Sequence, residues 1–315
     1  MKTDLNPLLL ASALPDATPL VTRARRAAFS LVEVMLAMSL LTLVVFALMA
    51  VFNSTQQAFR ASVTQTDVLE GGRAAMELIT SDLRGMTASG GSSNWSTAPY
   101  NFIVQDNNVI PPLSYLPLQQ NLVASTPSVL RTNVLQNFFL ISRENTKWTG
   151  VGYVVVANNQ TPLYPLYRFY AETNLSANPL SLYASFSNQV YNSQWTNLSH
   201  VMDGVVHFVV RAYDTNGIWL TNGYVANQQP MTQNIWYSPP SYGGEIEFVF
   251  FGNSLPPVVE LQIGVLEDRT LLRAESRVDV SPTFARSNYL AQQSGTLHLF
   301  RQRVIIPNFD PTAFQ

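Results

Sequence analysis

The feature that most constrains this chain is an apolar segment near its N-terminus, residues 29–52, which reads FSLVEVMLAMSLLTLVVFALMAVF. Among its 24 residues only Ser30, Glu33, Ser39 and Thr42 are not apolar. A helix rises about 1.5 Å per residue, so this segment is long enough to cross the roughly 30 Å hydrocarbon layer of a membrane. The sequence therefore predicts one membrane-spanning helix.

The charges that flank this segment predict its orientation. Arg23, Arg25 and Arg26 lie just before it, and the next Lys or Arg is Arg60. Loops rich in Lys and Arg stay on the cytoplasmic side of a membrane. We therefore expect residues 1–28 in the cytoplasm and the large C-terminal part in the periplasm or outside.

Three interpretations of the segment remain open: a signal peptide that is removed, a permanent anchor, or a helix that is processed and then assembles with other subunits. Glu33 distinguishes them, because an unpaired carboxylate is costly in lipid and a plain signal or anchor has no use for it. Cleavage between Ala28 and Phe29 would free an amino group one helical turn from Glu33, or on a neighbouring subunit. That amino group would be a cationic partner for the carboxylate.

The residues around this cleavage point follow a specific order. Arg25 and Arg26 are followed by two alanines, Phe29, Ser-Leu-Val and Glu33. This order resembles the processing site of type IV prepilins and type II secretion pseudopilins, in which a basic leader and a small residue precede Phe-[Ser/Thr]-Leu-[Val/Ile/Leu]-Glu and an apolar helix. Ala28 stands where the family usually has Gly, and the leader is longer than most.

The resemblance implies a processing step and an assembly contact. A prepilin peptidase would cut after Ala28 on the cytoplasmic side and methylate the new amino group of Phe29. Glu33 would pair with the amine of an adjacent subunit during assembly. The resemblance also implies residence in the inner membrane, with the head in the periplasm, before entry into a fibre.

The helix is predicted to continue beyond the apolar segment, over residues 53–88. Apolar residues recur there on one helical stripe, at Leu69, Met76, Ile79, Leu83 and Met86, while Glu70, Arg73, Glu77, Asp82 and Arg84 lie on other faces. Gly71 and Gly72 predict a kink or short break in this helix. Residues 72–84 are similar to an Arg…Leu…Asp-Leu-Arg stretch of J-type minor pseudopilins and W-type minor pilins.

From residue 89 the sequence predicts a β-rich head. Residues 89 to about 145 are rich in Ser, Asn, Gln and Pro and predict loops and short strands. Strands are then predicted at residues 151–157, 163–172, 205–213, 245–251, 258–266, 270–278 and 296–306. The predicted fold class is α+β, with a long N-terminal pilin helix, transmembrane in its first half and amphipathic in its second, packed on a mainly antiparallel sheet.

Alternation in two of these strands predicts which side chains are buried. In residues 205–213 the predicted inward set is Val206, Phe208, Val210 and Ala212, opposite His207 and Arg211. In residues 258–266 the predicted inward set is Val259, Leu261, Ile263 and Val265. Three features resemble the heads of J-type pseudopilins. They are an Asp-Gly-Val strand start at residues 203–205, Trp219 after a turn, and Leu-Pro-Pro-Val-Val-Glu at residues 255–260.

Composition and motifs argue against catalysis. The chain has no Cys and three His, and none of these has a second His at i+4 as in zinc peptidases. His207 and His298 lie in predicted strands, where a structural role is expected. No nucleophile elbow, phosphate-binding loop or dinucleotide fingerprint occurs. With 18 Lys+Arg against 20 Asp+Glu, the chain has no broad positive charge for nucleic acid.

Three features admit both a functional and a structural interpretation. Asp214 and Asn216 are either calcium ligands or, as we favour, part of a tight turn, because the rest of a calcium loop is missing. Glu245 and Glu247 would share one strand face, which is common on solvated sheets. The aromatic-rich residues 183–195 and 224–242 either form a binding surface or pack on their own sheet.

The predicted function is structural: a minor pseudopilin or minor pilin in a short envelope-spanning fibre. The large head predicts a position at the fibre tip. Residues 1–28 are the leader that is removed, 29–52 the transmembrane and fibre-core helix, 53–88 the amphipathic helix and 89–315 the head. The expected partners are other pilin-like subunits, the prepilin peptidase and the inner membrane, with no enzyme activity, cofactor, metal or nucleic acid. The alternatives are a minor pilin of a surface fibre and an anchored periplasmic binding module whose pilin-like helix is only an anchor.

Overall fold

One unbroken helix, α1, runs over Leu31–Arg84. The computed structural model describes residues 30–90, 97–107, 118–122, 129–156, 163–221, 234–238, 244–277 and 282–311. Ala28 and Phe29 lie outside the described residues. The chain divides into two compact units, residues 1–58 and 59–315, so the second half of α1 belongs to the same unit as the head.

The short break predicted as one possibility at Gly71 and Gly72 does not occur, because α1 is helical through both residues. Gly72 instead provides space for a neighbouring ring. A Cβ atom at Gly72 would lie 2.3 Å from ring atoms of Phe300, so only glycine lets this phenylalanine approach the helix backbone. The helix keeps its glycine for packing, at a cost of about 1 kcal/mol in helix propensity relative to Ala.

Twelve strands lie within the described residues. They are β1 (Tyr100–Asp106), β2 (Leu118–Asn121), β3 (Leu130–Asn133), β4 (Gln136–Glu144), β5 (Lys147–Val155), β6 (Leu166–Asn174), β7 (Ser199–Met202), β8 (Val205–Tyr213), β9 (Ile235–Tyr237), β10 (Phe248–Phe251), β11 (Val258–Leu266) and β12 (Leu297–Ile305). A seven-stranded sheet has the order β7-β6-β5-β4-β1-β10-β9, a three-stranded sheet the order β12-β11-β8, and β2 pairs with β3. Neighbouring strands in these sheets are antiparallel.

The apolar stripe predicted on α1 is a buried face of the helix. Met76, Ile79 and Leu83 are buried, and Leu69 is partly buried. Met86 is buried as well, but α1 ends at Arg84, before the predicted residue 88, and Met86 forms a β-bridge with Ser142. The four buried residues share one hydrophobic cluster with Phe102, Phe138, Tyr153 and Phe248 of the seven-stranded sheet and with Phe208, Leu261 and Val304 of the three-stranded sheet. The fold is therefore α+β, with the second half of α1 buried among mainly antiparallel strands.

A second helix, α2 (Leu180–Tyr191), packs on the seven-stranded sheet in a separate cluster. Its buried residues Leu182, Phe186 and Val190 contact a cluster that includes Phe139 and Phe169. The aromatic residues at 183–195 thus pack largely on their own sheet. This helix was not predicted, because its Ser- and Asn-rich sequence lacks a clear helical start signal.

Strands β8 and β11 have the bounds that the alternation predicts, but one side chain faces the other way. A bulge between Gly264 and Val265 places Val265 opposite Val205 rather than Val206. Val205 therefore joins the main core, and Val206 joins a smaller cluster with Leu266 and Leu271. The inward positions predicted farther along both strands are confirmed.

The strand predicted at residues 270–278 is wrong. This segment begins within helix α3 (Asp268–Glu275), which buries Thr270, Leu271 and Ala274 at helical spacing. Another helix, α4, follows at Pro282–Ala291. Strands β1 and β4 are also longer than the short strands expected before residue 145, with seven and nine residues.

Candidate functional site

The apolar part of α1 exposes its side chains. Large residues from Leu31 to Phe52 are exposed, and none of the most apolar 18-residue window is buried. Within the described residues, α1 is the one helix long and apolar enough to cross a membrane. Contiguous apolar surface of this extent marks a membrane or protein contact, so this surface is the first candidate site.

The hydroxyl groups of this segment are satisfied within the helix. Ser39 Oγ donates to the carbonyl of Leu36 and Thr42 Oγ1 donates to the carbonyl of Ser39, both at 2.8 Å. Such internal bonds lower the cost of polar groups in lipid. Between Ser30 and Phe52, Glu33 is the one ionisable side chain.

Glu33 lies in the first turn of α1 and is exposed. Its backbone N–H donates to Ser30 Oγ at 3.2 Å, so Ser30 caps the helix three residues before a glutamate. A carboxylate here also interacts favourably with the helix dipole. The Ser-x-x-Glu spacing in the sequence is typical of this kind of helix start.

Asp82 lies in a different environment from the solvent face predicted for it. Its side chain is 15% exposed and pairs with Arg168 of β6, which is 20% exposed. Arg168 donates from Nε to Asp82 Oδ2 at 2.8 Å and from Nη2 to Oδ1 at 2.9 Å. The Tyr153 hydroxyl of β5 donates to the same Oδ2. This bidentate pair joins the helix to the seven-stranded sheet.

The protonation states of this group favour a structural role. Burial and the neighbouring Asp82 carboxylate raise the pKa of Tyr153 well above its usual range. The hydrogen bond to Asp82 raises the pKa of Arg168 further. Tyrosine therefore stays protonated and arginine stays charged at neutral pH, which keeps the bonds between the helix and the sheet intact.

A second charged group lies on the outer face of the three-stranded sheet. The Glu260 carboxylate is fully buried and accepts hydrogen bonds from Arg301 Nη2 and Arg303 Nε, each at 2.8 Å. Arg211 lies 3.7 Å from it and also donates from Nε to Glu245 at 2.9 Å. Burial raises the pKa of Glu260, but the arginine hydrogen bonds outweigh it and lower that pKa to about 2.

Glu245 and Glu247 do not share a strand face, because β10 begins only at Phe248. Glu245 pairs with Arg211. Glu247 instead accepts the backbone N–H of Asp106 at 2.9 Å, and burial raises the pKa of its carboxyl. The two carboxylates therefore serve separate contacts.

His207 has a structural contact. Its Nδ1 accepts the backbone N–H of Val134 at 3.2 Å, which requires this nitrogen to be unprotonated. Burial and the nearby Arg131 lower the pKa of His207 to about 4. His298 in β12 lies 3.1 Å from Glu267, and His200 in β7 lies 2.8 Å from Asp203.

The metal interpretation gains no support within the described ranges, where no cluster of three His, Asp or Glu side chains is able to hold a metal ion. Asp214 Oδ1 accepts the backbone N–H of Asn216 at 2.9 Å and of Ile218 at 2.7 Å, as in a turn. Of residues 224–242 the structure describes 234–238, where Tyr237 is buried and Trp236 is exposed.

The described residues thus define an α+β domain whose longest helix extends into an exposed apolar segment. No protein-family model, no curated protein and no solved structure matches the chain.

Proposed function

We propose that the chain is a structural subunit of a type IV pilus-like or type II secretion fibre, a minor pseudopilin or minor pilin. The observation that carries the proposal is the form of α1, which is one continuous helix. Its first half exposes an apolar surface with a single carboxylate, Glu33, in the first turn, and its second half is buried in the head. The prepilin-like residues around Ala28 and Phe29 support it.

In this proposal the exposed half of α1 first lies in the inner membrane and then moves into a bundle of like helices. Cleavage after Ala28 supplies an amine, and Glu33 pairs with the amine of a neighbouring subunit. A carboxylate without a partner is expensive in an apolar bundle, so this pairing selects one register between subunits. The large head favours a low-copy position at the fibre tip.

The first test is the mature N-terminus. We expect intact-mass and N-terminal peptide analysis of protein from its native host to find N-methylated Phe29. A chain that begins at Met1, or one cut near Ala50 by a conventional signal peptidase, contradicts the proposal. A Met1 start would favour the anchored binding module.

The second test is Glu33→Ala, with Ser39→Ala as the control inside the same segment. Removal of the Glu33 carboxylate should leave membrane insertion intact, since a costly group is lost. It should reduce crosslinking to pilin-like subunits, whereas Ser39→Ala should not. Equal crosslinking in both variants would contradict the assembly role proposed for Glu33.

A further inference from the structure

Strand β12 has an unpaired edge. It lies at one end of the three-stranded sheet, and no strand in the described ranges pairs with its outer side. Two hydrogen bonds at the ends of the β11–β12 ladder show which residues of β12 bond to β11. Ile306 N–H donates to the carbonyl of Pro257 at 3.0 Å, and Glu267 N–H donates to the carbonyl of Thr296 at 3.1 Å, so the even-numbered residues face β11. In an antiparallel ladder, residues that bond to the same neighbour alternate along the strand. Leu299, Arg301, Arg303 and Ile305 therefore direct their N–H and C=O groups to the unpaired edge.

The side chains of these four residues lie on the outer face of the sheet. Leu299 is 48% exposed and Ile305 is 72% exposed. The side chains of Arg301 and Arg303 are each 53% exposed. Each guanidinium has five N–H donors, so the bond to Glu260 leaves most of them available. Along the edge, two exposed arginines are thus flanked on each side by one exposed apolar residue.

A groove runs beside this edge. It has a volume of about 750 Å³ and lies between β12 and the second half of α1. Its charged lining consists of Arg73, Glu77 and Arg84 from the helix and Arg301 from the strand. Three arginines and one glutamate make the groove positive, which favours an acidic occupant.

The edge lacks two of the devices that prevent strand addition, a β-bulge and a proline. Pairing with β11 is regular from Leu297 to Ile305, without a bulge, and the strand contains no Pro. Its arginines disfavour a second copy of this chain. In the antiparallel register with full overlap of Leu297–Ile305, Arg301 faces itself, and in one of the two registers shifted by two residues it faces Arg303. Like charges directly opposite each other destabilise strand pairing.

We propose that the edge of β12 binds an extended acidic segment of another protein as an added strand. The segment carries carboxylates opposite Arg301 and Arg303 and apolar side chains opposite Leu299 and Ile305. Its backbone completes the outward N–H and C=O groups, while the carboxylates give selectivity. This site is independent of the proposed role in a fibre.

The test uses the detergent-solubilised full chain and the fluorescein-labelled peptide Val-Thr-Glu-Thr-Glu-Thr-Val in an anisotropy titration. The comparison peptide is Val-Thr-Lys-Thr-Lys-Thr-Val. We expect the acidic peptide to bind at least about tenfold more tightly than the lysine peptide, and less tightly at high salt. Hydrogen exchange at the outward amides of Arg301 and Arg303 should slow when the acidic peptide is present.

Leu299→Pro removes one outward N–H and keeps the ladder to β11, so it should weaken binding about tenfold. Arg301→Gln should weaken binding of the acidic peptide, whereas Arg143→Gln, at an exposed position on β4, should not. If Leu299→Pro lowers the melting temperature, the loss of peptide binding is judged from Arg301→Gln against Arg143→Gln instead.

Three outcomes overturn the proposal. The first is equal binding of the two peptides, and the second is unchanged binding after Arg301→Gln. The third is concentration-dependent dimerisation of the chain that Leu299→Pro abolishes, which would identify a second copy as the occupant.

Discussion

At the scale of single residues, arginines hold the buried carboxylates of Glu245 and Glu260 and the partly buried carboxylate of Asp82. Asp82 accepts a bidentate pair from Arg168, and Glu260 accepts bonds from Arg301 and Arg303. A buried charge that loses its partner costs much more than the intact pair contributes. Such groups therefore specify which elements meet more than they add net stability.

The pair between Asp82 and Arg168 gives the first prediction. Asp82→Ala or Arg168→Ala should each reduce the free energy of unfolding by about 2–4 kcal/mol, because each leaves a mostly buried charge unpaired. The double variant should lose less than the sum of the two. Denaturant unfolding of all three variants measures this coupling.

The exposed pair between Lys147 and Glu172, 2.6 Å apart, is the matched control. Lys147→Ala should change stability little, because solvent screens exposed ion pairs. Additive effects of the Asp82 and Arg168 changes would contradict the coupling.

His207 gives a prediction on pH. Its pKa is about 4 in the folded chain and near 6.5 when unfolded, so the unfolded chain takes up a proton first as the pH falls. Neutral His207 therefore makes its full contribution to the free energy of unfolding above about pH 6.5. That free energy falls between about pH 6.5 and 4, by up to about 1.4 kcal/mol per pH unit.

His207→Asn keeps an acceptor for the Val134 N–H but removes the titration. Stability measured by denaturant at several pH values in this window should fall less steeply for the variant than for the natural chain. Identical slopes would mean that His207 is already protonated in the folded protein or is not buried as described.

At the scale of elements, α1 serves two environments with one continuous helix. Its first half is apolar on all sides, and its second half is apolar on one stripe that packs in the head. Close packing of the second half depends on the small residue Gly72, where the ring of Phe300 lies against the backbone. The adjacent Gly71 has no such neighbour, since its closest non-local atom is Met202 Cε at 3.9 Å.

The two glycines form a matched pair of tests. Gly72→Ala should destabilise the head by about 1–3 kcal/mol, because the added methyl group displaces the Phe300 ring. Gly71→Ala should be neutral or stabilise it by up to about 1 kcal/mol through helix propensity. Thermal melting in detergent compares them, and Phe300→Leu should reduce the effect of Gly72→Ala. Equal melting temperatures for the two alanine variants would contradict the packing described.

At the scale of the whole molecule, the compact unit that contains the head begins at Phe59, well before the first strand. Burial of the apolar stripe is worth about 1.5–3 kcal/mol for each side chain before entropic costs. The second half of α1 is therefore part of the cooperative unit rather than a linker.

A chain that begins at Thr55 tests this directly. We expect it to be soluble and to unfold in one cooperative transition by circular dichroism, because the apolar segment is removed and the buried stripe is kept. In that chain Leu83→Asp should abolish the transition, since an unpaired charge enters the core, while Leu78→Asp on the exposed side should not. Similar melting of both variants would show that the stripe faces other subunits instead.

Local patterns in the sequence predicted several features well. The apolar segment at residues 29–52 follows from a continuous run of apolar residues, whereas the stripe through Ile79 and Leu83 and the bounds of β8 and β11 follow from periodicity. Periodicity depends only on neighbouring residues, and it reports which face of an element is buried. These features therefore needed no knowledge of the rest of the chain.

Tertiary structure decided what those patterns leave open. Residues 268–275 form a helix because Leu271 and Ala274 find a core at helical spacing, although the segment also suits a strand. Asp82 was assigned to solvent because its partner, Arg168, is 86 residues away in sequence. Val206 changed faces through a bulge that pairing with β11 introduces. Each depends on a contact between distant segments, and such contacts exist only once the chain has folded.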